Sequence, residues 1–169
     1  NGSGKTTLLR CILGLIPEVE GKIYWKGKNV NDSRISFLKS SFYQGHHLGI
    51  KSEFSVKENL EYSHFAFDSN RDAVVKAASR LGLGPYLQRK TSELSVGQKK
   101  RIAIARWLIT ELDLFLIDEP FTALDDEASL IIHDIVKELN LKGVSFLITG
   151  HRPSNIKSTH IYLKEHNED

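Results

Sequence analysis

The 169-residue sequence contains no methionine and a single cysteine, Cys11. One thiol excludes an intramolecular disulfide and fits a reducing compartment. Set within LLRCILGL, Cys11 reads as a packed apolar side chain and not as a nucleophile. No run of 18 apolar residues occurs, so no membrane-spanning helix is expected. No signal-peptide pattern is visible. Charge of one sign is also lacking: 23 basic against 21 acidic residues leave a net +2, too little to hold nucleic acid by bulk electrostatics. Internal repeats and low-complexity tracts are absent, which excludes solenoid and tail-like classes. What remains is ordinary for a globular domain: 40% hydrophobic and 26% charged residues. A chain of this size buries roughly 70% of its unfolded surface.

One further absence lies at the front. The chain opens NGSGKTTLLR. A phosphate-binding loop reads G-x-x-x-x-G-K-[ST]. Gly4, Lys5 and Thr6 fill its last three places, but its first glycine would lie before Asn1. With no initiator methionine either, the chain is expected to be N-terminally truncated within an intact motif. Gly2 and Gly4 lack Cβ atoms, so backbone N–H groups can close around phosphate oxygens. Lys5 would reach the β- and γ-phosphates and the Thr6 hydroxyl would ligate Mg²⁺. The phosphates would sit at the N-terminus of the following helix, where free N–H groups favour anions. Without its partners further along the chain, the same stretch is equally a glycine-rich turn capped by threonine.

Those partners follow from the element pattern. Residues 5–15 read as a helix stopped by Gly14 and Pro17. GKIYWKGK reads as a short strand ended by Gly27, with Ile23 and Trp25 on one face. A second strand is expected at 41–44. SVKENLEYSHFAF reads as a helix whose Ser55 and Glu58 form a capping box. Apolar residues at 74, 77, 78 and 81 keep helical spacing before Gly82, Gly84 and Pro85. A further helix follows Ser95, and another covers 126–141. LFLIDE is a continuous apolar run ending in acids, the signature of a strand buried on both faces. VSFLIT and HIYLK read as final strands. Strands alternating with helices at both ends of the chain predict an α/β fold with a mostly parallel sheet. Residues 52–94 show helices without convincing strands and read as an inserted helical lobe, with 1–51 and 95–169 forming the core.

The strand LFLI would deliver Asp118 and Glu119 to the carboxyl edge of the sheet, where open α/β sheets bind ligands. Asp118 would help hold Mg²⁺, and Glu119 would polarise an attacking water. Taken alone, this is also a strand ending at a charged turn. Together with Gly4-Lys5-Thr6 it points to nucleotide hydrolysis. ELSVGQKKRIAIAR starts with Ser95 and Gln98 at capping-box spacing, so a helix start is its plain meaning. A glycine at such an N-terminus also suits an anion. The basic run at 99–101 reads as a solvated helix face.

In order and spacing, NGSGKTTLL, LSVGQ, LFLIDEPFTALD and ITGH resemble the Walker A, signature, Walker B, D-loop and switch-histidine motifs of ABC-type ATPases. The resemblance covers essentially the whole chain. It implies a P-loop NTPase core, RecA-like, with a helical subdomain that ends at the signature. It implies ATP and Mg²⁺ as ligands and a head-to-tail homodimer of ATPase subunits. By position, Asn1, Gly2, Ser3, Gly4, Lys5, Thr6 and Thr7 would bind nucleotide, and Thr6 and Asp118 would serve the metal. Ser95, Gly97 and Gln98 would form the signature that contacts the partner subunit's ATP. Asp125 would cross the dimer interface, His151 would orient the γ-phosphate and water, and Glu119 would be the general base. Val96 stands where the family carries a small residue. The Gln-loop position falls on His47 by its flanking residues, with Gln44 three places earlier.

YQGHHLGIKSEFSVKENLEY and DEPFTALD are further similar to the CcmA family, the ATP-binding subunits of the cytochrome c maturation haem exporter. That resemblance implies a peripheral protein on the cytoplasmic face of the inner membrane, docked on permease subunits. It implies no nucleic-acid partner. His46 and His47 are read as part of a coupling segment, with no direct haem ligation expected. Three alternatives stay open: the ATPase of another exporter of lipoproteins or peptides, a soluble non-transport ABC ATPase, and a remnant that only binds partners. One signature, one Walker B and no heptad run disfavour the soluble class. For the truncated motif the expected outcome is direct. Calorimetric titration should find weak or no ATP binding to the 169 residues alone, and restored binding once the upstream strands are supplied. Equal affinity with and without that extension would contradict the truncation.

Overall fold

The computed structural model describes residues 3–18, 20–63, 71–122, 126–150 and 158–163. They form two compact units: one from 1–45, 112–122 and 140–169, the other from 46–111 and 123–139. Residues 52–94, the expected lobe, fall inside the second unit.

The first unit begins with helix α1 (Lys5–Ile12), a hairpin of β1 (Tyr24–Trp25) and β2 (Lys28–Asn29), and helix α2 (Arg34–Lys39). Strands β3 (Ser41–Gln44), β4 (Leu114–Ile117) and β5 (Ser145–Ile148) then make a parallel sheet in the order β3-β4-β5. β4 is central and buried at all four positions, as its unbroken apolar run requires. Alternation sends Leu114 and Leu116 into a cluster with Leu9, Leu13, Val30 and Phe37. Phe115 lies between Phe42 and Phe146, with ring centroids 5.2 and 5.0 Å away. The three phenylalanines share one register row. This packing fixes the height at which the strands end. Gln44, Ile117 and Ile148 are register partners, so Asp118 and Thr149 leave the sheet side by side.

The second unit is helical. It holds α3 (Val56–Glu61), α4 (Arg71–Arg80), α5 (Val96–Leu108) and α6 (Asp126–Leu141) up to Leu139. Short 3₁₀ turns at Gly84–Tyr86 and Thr91–Glu93 lead from α4 to α5. Ser55 caps α3 with the reciprocal Glu58 box that the sequence predicts. Hydrogen bonds from the Ser55 backbone N–H, and then from its hydroxyl, hold the Glu58 carboxyl below the usual carboxylate range. Buried Asn59 closes the preceding loop. Its amide nitrogen donates to the carbonyls of Lys51 and Ser55 at 3.0 Å, and its oxygen accepts the Lys51 N–H at 2.8 Å.

Four elements differ from expectation. GKIYWKGK is a whole hairpin and not one strand, because Lys26 and Gly27 both take positive φ (49° and 77°) and turn the chain in two residues. The segment before β3 is the helix α2, whose Phe37 joins the core. HIYLK forms no strand in its described part. Ile161 and Tyr162 are exposed, and no sheet edge pairs with them. Lys99, Lys100 and Arg101 are half-buried and not a solvated face. α5 is buried through Ile102, Ala103, Ile104, Ala105 and Trp107, so the long basic stems lie along protein. Burial lowers the pKa of Lys100, and Arg101 donates to the Leu81 carbonyl at 3.3 Å.

The phenylalanine row carries the first unit. Phe115→Ala should cost about 3–5 kcal/mol, the usual range for a fully buried aromatic. Urea denaturation would show this as a lowered midpoint, and a loss below about 1 kcal/mol would contradict the packing described.

Candidate nucleotide-binding and hydrolysis site

A hydrogen bond joins the sheet end to the start of α1. The Thr6 hydroxyl donates to Oδ2 of Asp118 at 2.8 Å, across 112 positions of sequence. Gly4 is the N-cap of α1 with φ 78°, and no side chain caps the helix. That left-handed φ favours glycine. The space where its Cβ would stand is open, so conformation and not crowding selects the residue. The Gly4 carbonyl starts the helix by accepting the Leu8 N–H at 2.8 Å. The amides of Lys5, Thr6 and Thr7 belong to the first turn, which has no acceptors within its own helix. Lys5 folds back, and its ammonium donates to the Ser3 hydroxyl at 2.9 Å. Amides, dipole and a lysine gathered at one helix start make an anion site.

Asp118 is buried, at 4% exposure, directly beyond β4. Its N–H donates to the Gln44 carbonyl at 2.8 Å, continuing the β3–β4 ladder. Its second oxygen, Oδ1, accepts the Thr149 hydroxyl at 2.6 Å. Glu119 follows with φ 52°, a left-handed conformation costing a non-glycine residue about 1–2 kcal/mol. Its N–H donates to Oγ1 of Thr149 at 3.1 Å, and its carboxylate accepts the Thr122 hydroxyl at 3.2 Å. The turn lifts the Glu119 side chain out of the strand direction and leaves it half-buried. One carboxylate is thus locked in the sheet edge, and the next is half-buried beside Thr122.

Thr6 and Asp118 offer a hydroxyl and a carboxylate oxygen within one hydrogen-bond length. This hard-oxygen pair suits Mg²⁺, which takes one or two protein ligands and completes its shell with water and phosphate oxygens. Among the described residues, no group of three His, Cys, Asp or Glu side chains could hold a metal. The Thr6 and Asp118 oxygens therefore fit a cation that draws its remaining ligands from elsewhere.

The signature residues lie in the other unit. Ser95 accepts the Gln98 N–H at 3.2 Å, and the Gln98 side chain accepts the Ser95 N–H at 2.9 Å. Both halves of the capping box are present. As an acceptor in this box, the Ser95 hydroxyl keeps its own proton to donate. Ser95, Val96 and Gly97 are exposed. Gln44 is buried at the end of β3, whereas His46 and His47 are exposed in the second unit. The loop after them is tied to α5, where the Arg106 guanidinium donates to the Leu48 and Gly49 carbonyls at 2.8 and 2.9 Å. Burial lowers the Arg106 pKa from its ordinary value. Asn1, Gly2, Asp125 and His151 lie outside the described residues. The residue that sequence reasoning missed is Thr149. It precedes the ITGH histidine by two places, but a threonine at a strand end carries no signal until the strand register is known.

The family model for ABC transporters matches residues 1–122. The cytochrome c biogenesis ATP-binding export protein CcmA of Aliivibrio fischeri is 35% identical over 162 residues, covering 95% of this chain and 79% of that protein. CcmA of Escherichia coli K12 is 32% identical over 161 residues, covering 95% and 77%. Among solved structures, the ADP conformation of MJ1267, an ATP-binding cassette of an ABC transporter, aligns with TM-score 0.70 at 28% identity, covering 90% of this chain and 68% of that one. The dimeric post-hydrolysis cassette MJ0796, bound to ADP and Pi, aligns with TM-score 0.74 at 25% identity, covering 89% and 71%. With a loop-and-acid site on a parallel sheet and these similarities over most of its length, the chain belongs to the ABC transporter family, among the CcmA-type ATP-binding export proteins.

Proposed function

We propose that this chain is the ATP-hydrolysing subunit of an ABC export complex serving haem export in cytochrome c biogenesis. The observation that carries the ATPase reading is the Thr6–Asp118 hydrogen bond, which joins the phosphate loop to the acidic strand end. The cytochrome c assignment is supported by the names of the CcmA relatives and by the GHHLGIKSE loop preceding ENL.

The residues divide the work by position. The α1 amides and Lys5 bind the ATP phosphates, Lys5 moving from the Ser3 hydroxyl onto phosphate oxygens. Thr6 and Asp118 would hold Mg²⁺, which supplies charge neutralisation across the phosphates when bound. Glu119 orients and polarises the attacking water, since its backbone is pinned at the strand end and its carboxylate is held by the Thr122 hydroxyl. Catalysis of this kind rests on positioning and charge stabilisation more than on covalent chemistry. Ser95 and Gly97 would contact the γ-phosphate of ATP bound by a partner subunit, with Gln98 holding the cap. Asp125 would cross that interface and His151 would orient the γ-phosphate. The remaining partners are membrane permease subunits, approached from the cytoplasmic face of the inner membrane. Among the described residues no helix is long and apolar enough to cross a membrane.

In the full-length protein, Glu119→Gln should leave ATP affinity within about threefold and reduce steady-state turnover by at least about 100-fold, the lower end of general-base contributions. Binding is read by calorimetry and turnover by phosphate release. Undiminished hydrolysis would remove Glu119 from its role. Co-purification with a haem-handling permease tests the cargo assignment, and capture by a lipoprotein-type permease instead would overturn it.

A further inference from the structure

We propose that Thr149 is a positioning residue for hydrolysis, one hydroxyl that sets both acids at the end of β4. The inference rests on the ATPase reading above and gives a role to a residue of the ITGH stretch that the sequence reading left without one.

A threonine hydroxyl has one proton to give and lone pairs to receive. Here the proton goes to Oδ1 of Asp118 at 2.6 Å. The oxygen receives the Glu119 N–H at 3.1 Å. Donor and acceptor roles are therefore both committed, and to adjacent residues. The Asp118 bond fixes the rotation of that carboxylate, so that Oδ2 faces the Thr6 hydroxyl at 2.8 Å. The Glu119 bond ties the amide of the left-handed turn to the end of β5, and the turn aims the Glu119 carboxylate. Thr149 is itself held by the sheet: its N–H donates to the Ile117 carbonyl at 3.0 Å, and it is 8% exposed. The sheet thus places the hydroxyl, and the hydroxyl places the acids.

None of the phosphate-binding groups, Lys5, Thr6 or the α1 amides, is bonded to Thr149 in this arrangement. Loss of the hydroxyl should therefore spare ground-state binding and fall on the step that needs Glu119 aimed correctly. Small displacements of a catalytic group are expensive in rate. Valine keeps the shape of threonine without the hydroxyl, and serine keeps the hydroxyl without the methyl group.

The test measures kcat and KM for ATP in the full-length protein carrying Thr149→Val, Thr149→Ser or Glu119→Gln. Thr149→Val should lower kcat by at least about tenfold while KM moves less than about threefold. Thr149→Ser should return kcat to within about twofold of wild type. Wild-type kcat in Thr149→Val overturns the proposal. So does equal damage in the valine and serine variants with KM raised alongside, since that marks a packing role. Glu119→Gln separates the two levels. If it is inactive beside a fully active Thr149→Val, only the Thr149 inference fails; if it hydrolyses ATP normally, the ATPase assignment of Glu119 fails first.

Discussion

Everything at this site depends on where β4 ends. The strand is clamped between β3 and β5 and buried on both faces, so its last residue cannot shift along the sheet without breaking a register row of three phenylalanines. Asp118 then has no choice of place. Both of its carboxylate oxygens are taken by threonine hydroxyls, one from the start of α1 and one from the end of β5. A buried carboxylate left without partners would be costly, and two short charge-assisted bonds offset that cost. The same bonds tie three distant segments of chain together at the point where chemistry is proposed.

The arrangement changes one residue later. Glu119 is half-buried and leaves the strand by a left-handed turn, and the strain is held by the bonds of Thr149 and Thr122. A buried acid and a half-buried acid are thus adjacent in sequence, with a left-handed φ at the second. At the facing helix start, Gly4 uses a left-handed φ for a related purpose, opening first-turn amides without a side-chain cap. In the helical unit the corresponding helix start is arranged differently. Ser95 is closed into a capping box with Gln98, which stabilises α5.

The legible parts of this protein were those whose cause is local. Gly4-Lys5-Thr6 announces a phosphate loop because glycine, lysine and threonine are each required within a few residues. LFLIDE announces a buried strand because no amphipathic face interrupts it. Both capping boxes follow from spacing alone. The missed parts have nonlocal causes. Thr149 matters through the pairing of β4 with β5. α2 was hidden because RISFLK runs directly into a β-rich stretch, and its helical state is settled by the burial of Phe37. The hairpin turn Lys26-Gly27 lacks the usual asparagine or aspartate at its first position, and lysine occupies a left-handed angle there. HIYLK has strand-like composition, but its described residues pair with no described strand. The half-buried basic run on α5 follows from helix packing, which a count of charges does not reveal.

The central claim is that Thr6 and Asp118 act as one unit that joins the phosphate loop to the acidic strand end. A double-mutant cycle measures this directly: kcat/KM for ATP in the full-length protein, in Thr6→Val, in Asp118→Asn and in the combined variant. Coupled residues give interaction energies of about 0.5–3 kcal/mol, whereas independent sites add within about 0.5 kcal/mol. The account predicts that the second substitution costs far less once the first is present. Simple addition of the two losses would contradict it.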